Sequence, residues 1–161
     1  MSGMSGGTES DVIVRKFIVV NASQSHAFNV FVEHHGEWWP LDRYHIGSAP
    51  AETAVIEPRV GGRWFERGRD GRECDWGRVL VWEPPNRIVL SWDITANWQF
   101  DRNLGTEVEV RFLATGQNTT RLELEHRLLD RYGEHAERMR STFESDSGWG
   151  AILQRYAVRV A

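Results

Sequence analysis

The chain has 161 residues and a mass of 18.6 kDa, which at the usual ~150 residues per domain leaves room for about one. Its 40% hydrophobic, 26% charged and 11% aromatic content is that of an ordinary globular protein. Its 19 basic against 23 acidic side chains give a net charge of −4, the wrong sign for a general partner of nucleic acid. The single Cys74 excludes an internal disulfide and a multi-thiolate zinc site, and no apolar run is long enough to form a signal core or a membrane span, so the cytosol is the expected location.

Met1 to Ser10 are small and polar, carry no apolar period and read as a loose tail ahead of a single domain over residues 11–161. The β-branched run between Asp11 and Asn21 predicts a first strand. Ser23 and Ser25 offer N-caps, and Ala27, Phe28, Phe31 and Val32 follow at helical spacing. Gly36 is placed as the C′ residue of that short amphipathic helix. Glu37 to Pro40 continue as a turn or second short helix, and the stretch to Pro50 has no period and reads as an ordered loop.

From residue 51 onward, turn chemistry recurs at Pro58–Gly62, Arg69–Arg72, Glu83–Asn86, about Ala96–Gly105 and Thr115–Asn118, which divides the segment into six strands. Val108, Val110 and Phe112 alternate with Glu107, Glu109 and Arg111, and Leu122, Leu124 and His126 alternate with Arg121, Glu123 and Glu125. Each of these strands therefore has one buried and one wet face, and turns this short require antiparallel pairing. Helical spacing returns at Glu134–Glu144. After an expected N-cap at Asp146 or Ser147, Trp149, Ile152, Leu153, Tyr156, Ala157 and Val160 form one apolar stripe. The only large apolar surface available to that stripe is the sheet's buried face, so the order β-αα-β6-α predicts an α+β fold: a curved antiparallel sheet wrapped around a long C-terminal helix.

Particular words in the sequence narrow this. Trp38-Trp39-Pro40 precedes His45-Ile46-Gly47, Glu57-Pro58-Arg59-Val60-Gly61-Gly62-Arg63 precedes Trp76-Gly77-Arg78-Val79 and Trp82-Glu83-Pro84-Pro85, and Leu122-Glu123-Leu124-Glu125-His126 precedes Gly148-Trp149. Over about residues 12 to 160 the chain resembles the SRPBCC superfamily, with its START-like, birch-pollen-allergen-like helix-grip fold. Within it, the chain is similar to the bacterial branch of the activator of heat-shock-chaperone ATPase homology family. The resemblance implies a deep apolar cavity between sheet and terminal helix, and a chaperone ATPase as a second kind of partner. Chaperone-activating members carry a further N-terminal domain, whereas ten residues precede the first strand here. No single reaction is shared across the family, and no cofactor is implied.

Eight tryptophans in 161 residues give wide contact area, and each indole N–H needs a partner, which suits either a packed core or a pocket for a flat ligand. Trp38, Trp39, Trp76, Trp92 and Trp149 are assigned to the cavity wall together with the inward positions Phe112, Leu124, Phe143 and Leu153. His45 is placed at the mouth. His126 stands where a third apolar residue is expected and is also assigned to the cavity wall, where it and His45 would orient a ligand. It reads either as a satisfied structural histidine or, beside Glu66 or Glu73, as half of an acid–base pair.

His26, Glu33, His34 and His35 do not have metal-site spacing, since adjacent helical residues point about 100° apart and no thiolate lies near. Arg59, Arg63, Arg67, Arg69 and Arg72 offer either an anion patch or a solvated face interleaved with acids. Cys74, between Glu73 and Asp75, is expected to be an inert thiol, and no nucleophile elbow or phosphate-cradling glycine word occurs. Three functions follow: binding of a small, largely apolar organic ligand, stimulation of a chaperone ATPase through the surface, or a cavity enzyme built on His126 and a glutamate. An edge strand near the N-terminus and the aromatic load also allow self-association as a homodimer.

Overall fold

A computed structural model describes residues 12–161; the tail assigned to Met1–Ser10 lies outside them. The elements are β1 (Val14–Val20), α1 (Gln24–Val32), α2 (His35–Trp38), β2 (Ala51–Ile56), β3 (Arg63–Gly68), β4 (Glu73–Glu83), β5 (Arg87–Trp92), β6 (Thr106–Gly116) and β7 (Thr119–Arg127). A 3-10 turn (Leu129–His135), α3 (Ala136–Glu144) and α4 (Trp149–Val160) follow. All seven strands join one antiparallel sheet in the order β1-β7-β6-β5-β4-β3-β2. This is the helix-grip architecture: the sheet curls, and its concave face carries α1 and α4.

Alternation decides the inward face. Val108, Val110, Phe112, Leu122, Leu124 and His126 are all at most 1% exposed. They meet the stripe of α4, of which Trp149, Ile152, Leu153, Tyr156 and Val160 are buried. Tyr156 donates its hydroxyl to the Ala27 carbonyl at 2.6 Å, tying α4 to α1. On the convex face Glu109 is buried beneath Arg87, Arg111 and Arg127, so three guanidiniums cover one carboxylate across β5, β6 and β7 and hold it below its ordinary pKa against the burial that raises it. The exposed edge strand β1 presents Phe17, on which the Arg121 guanidinium stacks at 3.8 Å.

Two helix boundaries differ from the sequence expectation. Gly36 lies inside α2 rather than beyond α1, because α1 ends at Val32 and His35–Trp38 form a helical turn of their own. Ser23 does cap α1, accepting from the His26 N–H at 3.2 Å. Helix α4 starts at Gly148 with no side-chain cap, so neither Asp146 nor Ser147 fills that role; a Cβ at residue 148 would lie 2.2 Å from the Phe143 carbonyl oxygen. The close approach of α3 to the start of α4 therefore favours glycine over a capping side chain.

The β3–β4 register shifts between Trp64 and Phe65, which pair with Gly77 and Asp75. Trp76 is the extra residue of this bulge, and the local bend sets its ring on the concave side. Gly77 beside it is pressed against β5: a Cβ there would sit 1.8 Å from the Ser91 carbonyl oxygen.

Candidate functional site

Where α4 begins, the sheet and helices do not close completely. They leave a hollow of about 470 Å3, within the range of about 300–1,000 Å3 usual for ligand pockets. The bulge supplies Trp76 and the end of β5 supplies Trp92 and Ile94. The residue after α2 supplies Trp39, α3 supplies Phe143, and the first turn of α4 supplies Trp149 and Ile152. The rings meet mostly edge to face: Trp92 lies 5.6 Å from Trp149 and 5.5 Å from Phe143, and Trp39 lies 6.0 Å from Trp149. Arg43, Tyr44, His45 and Ile46 form one rim, and the exposed Trp98, Thr142 and Ser147 form the other.

Each indole N–H of the floor is bonded within the protein. Trp39 donates to the Tyr44 carbonyl at 2.8 Å, Trp76 to Glu66 Oε1 at 2.8 Å, Trp92 to the Tyr132 hydroxyl at 3.0 Å and Trp149 to His126 Nδ1 at 3.1 Å. Tyr132 passes its own proton to the Ile94 carbonyl at 2.6 Å, so this chain also ends in a backbone acceptor. The floor consequently offers ring faces and edges without free donors.

His126 is fully buried, and its two nitrogens have different work. Nδ1 accepts from Trp149, so the proton belongs on Nε2, which faces the Thr106 hydroxyl at 3.1 Å. Thr106 in turn donates to the Trp92 carbonyl at 2.7 Å. A protonated imidazole would lose the Trp149 bond and stand uncompensated in the core, and burial accordingly lowers the His126 pKa from 6.5 to about 3. A second pair repeats the design: Trp64 donates to His35 Nε2 at 3.1 Å, His35 Nδ1 faces the Phe31 carbonyl at 3.2 Å, and burial likewise lowers the pKa to about 3.

The carboxylate expected beside His126 is elsewhere. Glu66, 1% exposed, accepts from the backbone N–H groups of Ile46 at 2.6 Å and Gly47 at 3.0 Å as well as from Trp76. It is a loop anchor: it pins residues 45–47 to the back of the Trp76 ring. Glu73 pairs with Arg63 and Arg67 on the surface. Neither forms the acid–base pair with His126. His45 Nδ1 faces the Gly47 carbonyl at 3.0 Å, with Glu66 Oε2 at 3.8 Å.

Of the residues assigned to the wall from sequence, Trp39, His45, Trp76, Trp92, Phe143 and Trp149 line the hollow, whereas Trp38, Phe112, Leu124, His126 and Leu153 do not. The second group is packed solid, His126 behind the hollow's wall and the others farther along α4. Trp38 lies 4.9 Å from Phe31 and 5.2 Å from Tyr156, Phe31 stacks edge-on with Phe112, and His126 is held behind Trp149. The opening thus lies at one end of the terminal helix instead of along it. Sequence reasoning did not assign Arg43, Ile46, Ile94, Thr142 or Ser147 to the cavity; these are loop and helix-end positions with no periodic signal, although the irregular stretch around His45 marked one of the loops.

Arg59, Arg63 and Arg67 of the first hairpin are spent on neighbouring acids, whereas Arg69 has no ion pair among the described residues. Arg63 binds Asp75 and Glu73 and lies 3.9 Å over Phe65, while Arg67 binds Glu73, which makes this a solvated face of paired charges. Burial, followed by the charges of Glu66, Asp70 and Asp75, raises the Cys74 thiol pKa. Among the described residues no three His, Cys, Asp or Glu side chains gather as a metal site requires, and His34 faces Glu37 instead. No helix among them is long and apolar enough to cross a membrane.

The family model for activator of Hsp90 ATPase homolog 1-like proteins matches residues 21–160. The chain belongs to this family. Among solved structures, members and relatives of the family's helix-grip fold align along nearly the whole chain. The anthrahydroquino-gamma-pyrone synthase Txn09 is 37% identical, with 95% of this chain and 99% of that one covered and a TM-score of 0.65. The self-sacrificing resistance protein CalC from Micromonospora echinospora is 34% identical, with 92% and 93% covered and a TM-score of 0.67. An Aha1 dimer from Colwellia psychrerythraea, 14% identical with a TM-score of 0.59, shares the fold. A comparison with curated proteins gave no match.

Proposed function

We propose that this protein binds a small, flat, largely apolar organic molecule in the hollow at the start of α4, and that a fused-ring aromatic natural product is the class that fits best. The observation that carries this reading is the floor: four indole rings and Phe143 around about 470 Å3, with each of the four indole N–H groups already bonded inside the protein. Such a surface rewards removal of apolar ring area from water, at about 25 cal/mol per Å2, and makes no hydrogen-bonding demand on the part of the ligand it encloses. The 37% identical relative supports the reading, since it is described as an anthrahydroquino-gamma-pyrone synthase.

Tryptophan fluorescence titrated with a panel of anthraquinones and other fused-ring aromatics tests this directly. A saturable change for at least one compound, weakened when Trp149 is replaced by alanine, supports binding at this site; a flat response across the panel overturns it. The chaperone reading comes with the family description. A pull-down with an Hsp90-type chaperone and a measurement of its ATP turnover separates it, because a receptor for small molecules leaves both unchanged.

A further inference from the structure

We propose that the occupant of the hollow is an anionic aromatic, one bearing a carboxylate, phenolate or enolate oxygen, and that it sits with its ring system on the tryptophan floor and its charged oxygen at Arg43. This rests on the proposed receptor function and deepens it. The floor cannot orient a ligand by hydrogen bonds, because its indoles and His126 are satisfied among themselves. Orientation must come from the rim, where the polar groups differ sharply in what they have free.

Arg43 is exposed at the rim, and among the described residues no carboxylate lies within ion-pair distance of it. That separates it from Arg63 and Arg67 of the first hairpin, which are matched to Glu73 and Asp75. Its backbone is fixed, since the N–H groups of Arg43 and Tyr44 both donate to the Pro40 carbonyl, at 3.1 and 3.0 Å. Among the described residues no aspartate or glutamate lines the hollow. Glu66, behind the Trp76 ring, is buried and has its oxygens committed to Ile46, Gly47 and Trp76. The His45 side chain completes the rim, with Nδ1 facing the Gly47 carbonyl and Nε2 without a protein partner among the described residues. A half-enclosed apolar cavity with one unmatched guanidinium at its mouth favours an anionic oxygen there. A carboxylate can take two parallel N–H bonds from Arg, which fixes the ligand's rotation as well as its depth.

The test compares anthraquinone-2-carboxylate with its methyl ester, which has the same ring system without the charge, on the full chain by tryptophan fluorescence. The acid is expected to bind about tenfold more tightly than the ester, and that advantage is expected to shrink as salt is raised to about 0.3 M. In Arg43→Gln the acid should fall to the affinity of the ester, and in Arg43→Lys part of the advantage should survive. Equal affinity of acid and ester for the unmodified protein overturns the proposal while leaving the aromatic receptor standing. So does an Arg43→Gln change that weakens both ligands by the same factor. Absence of saturable binding by either compound overturns this proposal, and it counts against the receptor reading only when the wider neutral panel is silent too.

Discussion

Acidification should destabilise this fold earlier and more steeply than its carboxylates alone would allow, because His35 and His126 are held neutral in its interior. Each has its pKa lowered by burial from 6.5 to about 3, and each uses one nitrogen as acceptor for a buried indole N–H, which protonation would forbid. Between those two pH values the unfolded chain binds both protons and the folded chain neither, so stability rises with pH there and is lost as pH falls. The limiting slope is about 1.4 kcal/mol per pH unit for each histidine. Going from pH 7 to pH 5 should therefore remove about 2 kcal/mol per histidine, or about 4 kcal/mol for the pair, which is a large share of the 5–15 kcal/mol typical of a domain. This figure depends on the unfolded pKa and hardly on the folded one, provided the latter stays below about 4. Asp93, whose buried carboxyl is pushed above its ordinary range, works in the opposite direction, so the total loss alone is not decisive. The comparison that isolates each imidazole is urea unfolding at the two pH values for the natural protein, His126→Gln and His35→Gln. Each variant should lose about 2 kcal/mol less on acidification than the natural protein, whatever its starting stability. Equal losses in all three proteins would show that these imidazoles are not neutral acceptors in the fold, and the tautomers assigned to them would have to be abandoned.

Other consequences follow from the same contacts. Trp149→Phe removes the donor to His126 Nδ1 and leaves space behind, so urea unfolding at neutral pH should show a loss of about 2–4 kcal/mol. Glu66→Gln places an amide where three N–H groups converge. It should cost about 1–3 kcal/mol, and hydrogen exchange at the Ile46 and Gly47 amides should accelerate while the amides of β6 stay protected. Gly77→Ala forces a Cβ to within 1.8 Å of the Ser91 carbonyl oxygen and should cost more than about 3 kcal/mol or abolish folding, read from soluble yield and circular dichroism.

The strands were legible because water enforces their period. In β7 every second residue is buried, in β6 the inward positions from Thr106 to Phe112 are, and the turns between strands carry residues whose backbone preferences announce them. The grip was legible for the same reason: the stripe from Trp149 to Val160 had only one apolar surface to meet. What the sequence did not reveal is where along that contact the packing fails. Periodicity marks Leu153 and Trp149 alike as inward, yet Leu153 is surrounded and Trp149 borders open space, a difference set by the neighbouring loops and by the approach of α3 at Gly148. A glycine inside a strand, such as Gly77, is a common mark of a bulge but does not say which neighbour is extruded; the register identifies Trp76. His126 could be recognised as a buried polar residue in an apolar series, whereas its partners could not, because Thr106 and Trp149 are distant in sequence and reach it only through the sheet and α4.

The histidine–tryptophan pairs also bear on the kind of work this cavity can do. An indole at a cavity wall must satisfy its N–H, and a carboxylate acceptor would leave a negative charge behind the apolar surface that the proposed ligand would meet. A neutral imidazole accepts the same bond without a charge and continues the aromatic packing, as His126 does 4.5 Å from Phe143. The carboxylate used in this way among the described residues, Glu66, accepts two backbone N–H bonds besides that of Trp76, which spread its charge over the loop it anchors. The same commitments weaken these groups as proton carriers. An imidazole with its pKa near 3 is a poor base, and removing its lone pair from Trp149 would break the wall it supports. Proton transfer involving a bound molecule would therefore fall to the rim, where His45 has a ring nitrogen without a protein partner among the described residues. The chemistry most directly built into the floor is enclosure of rings, with charge recognition left to the mouth.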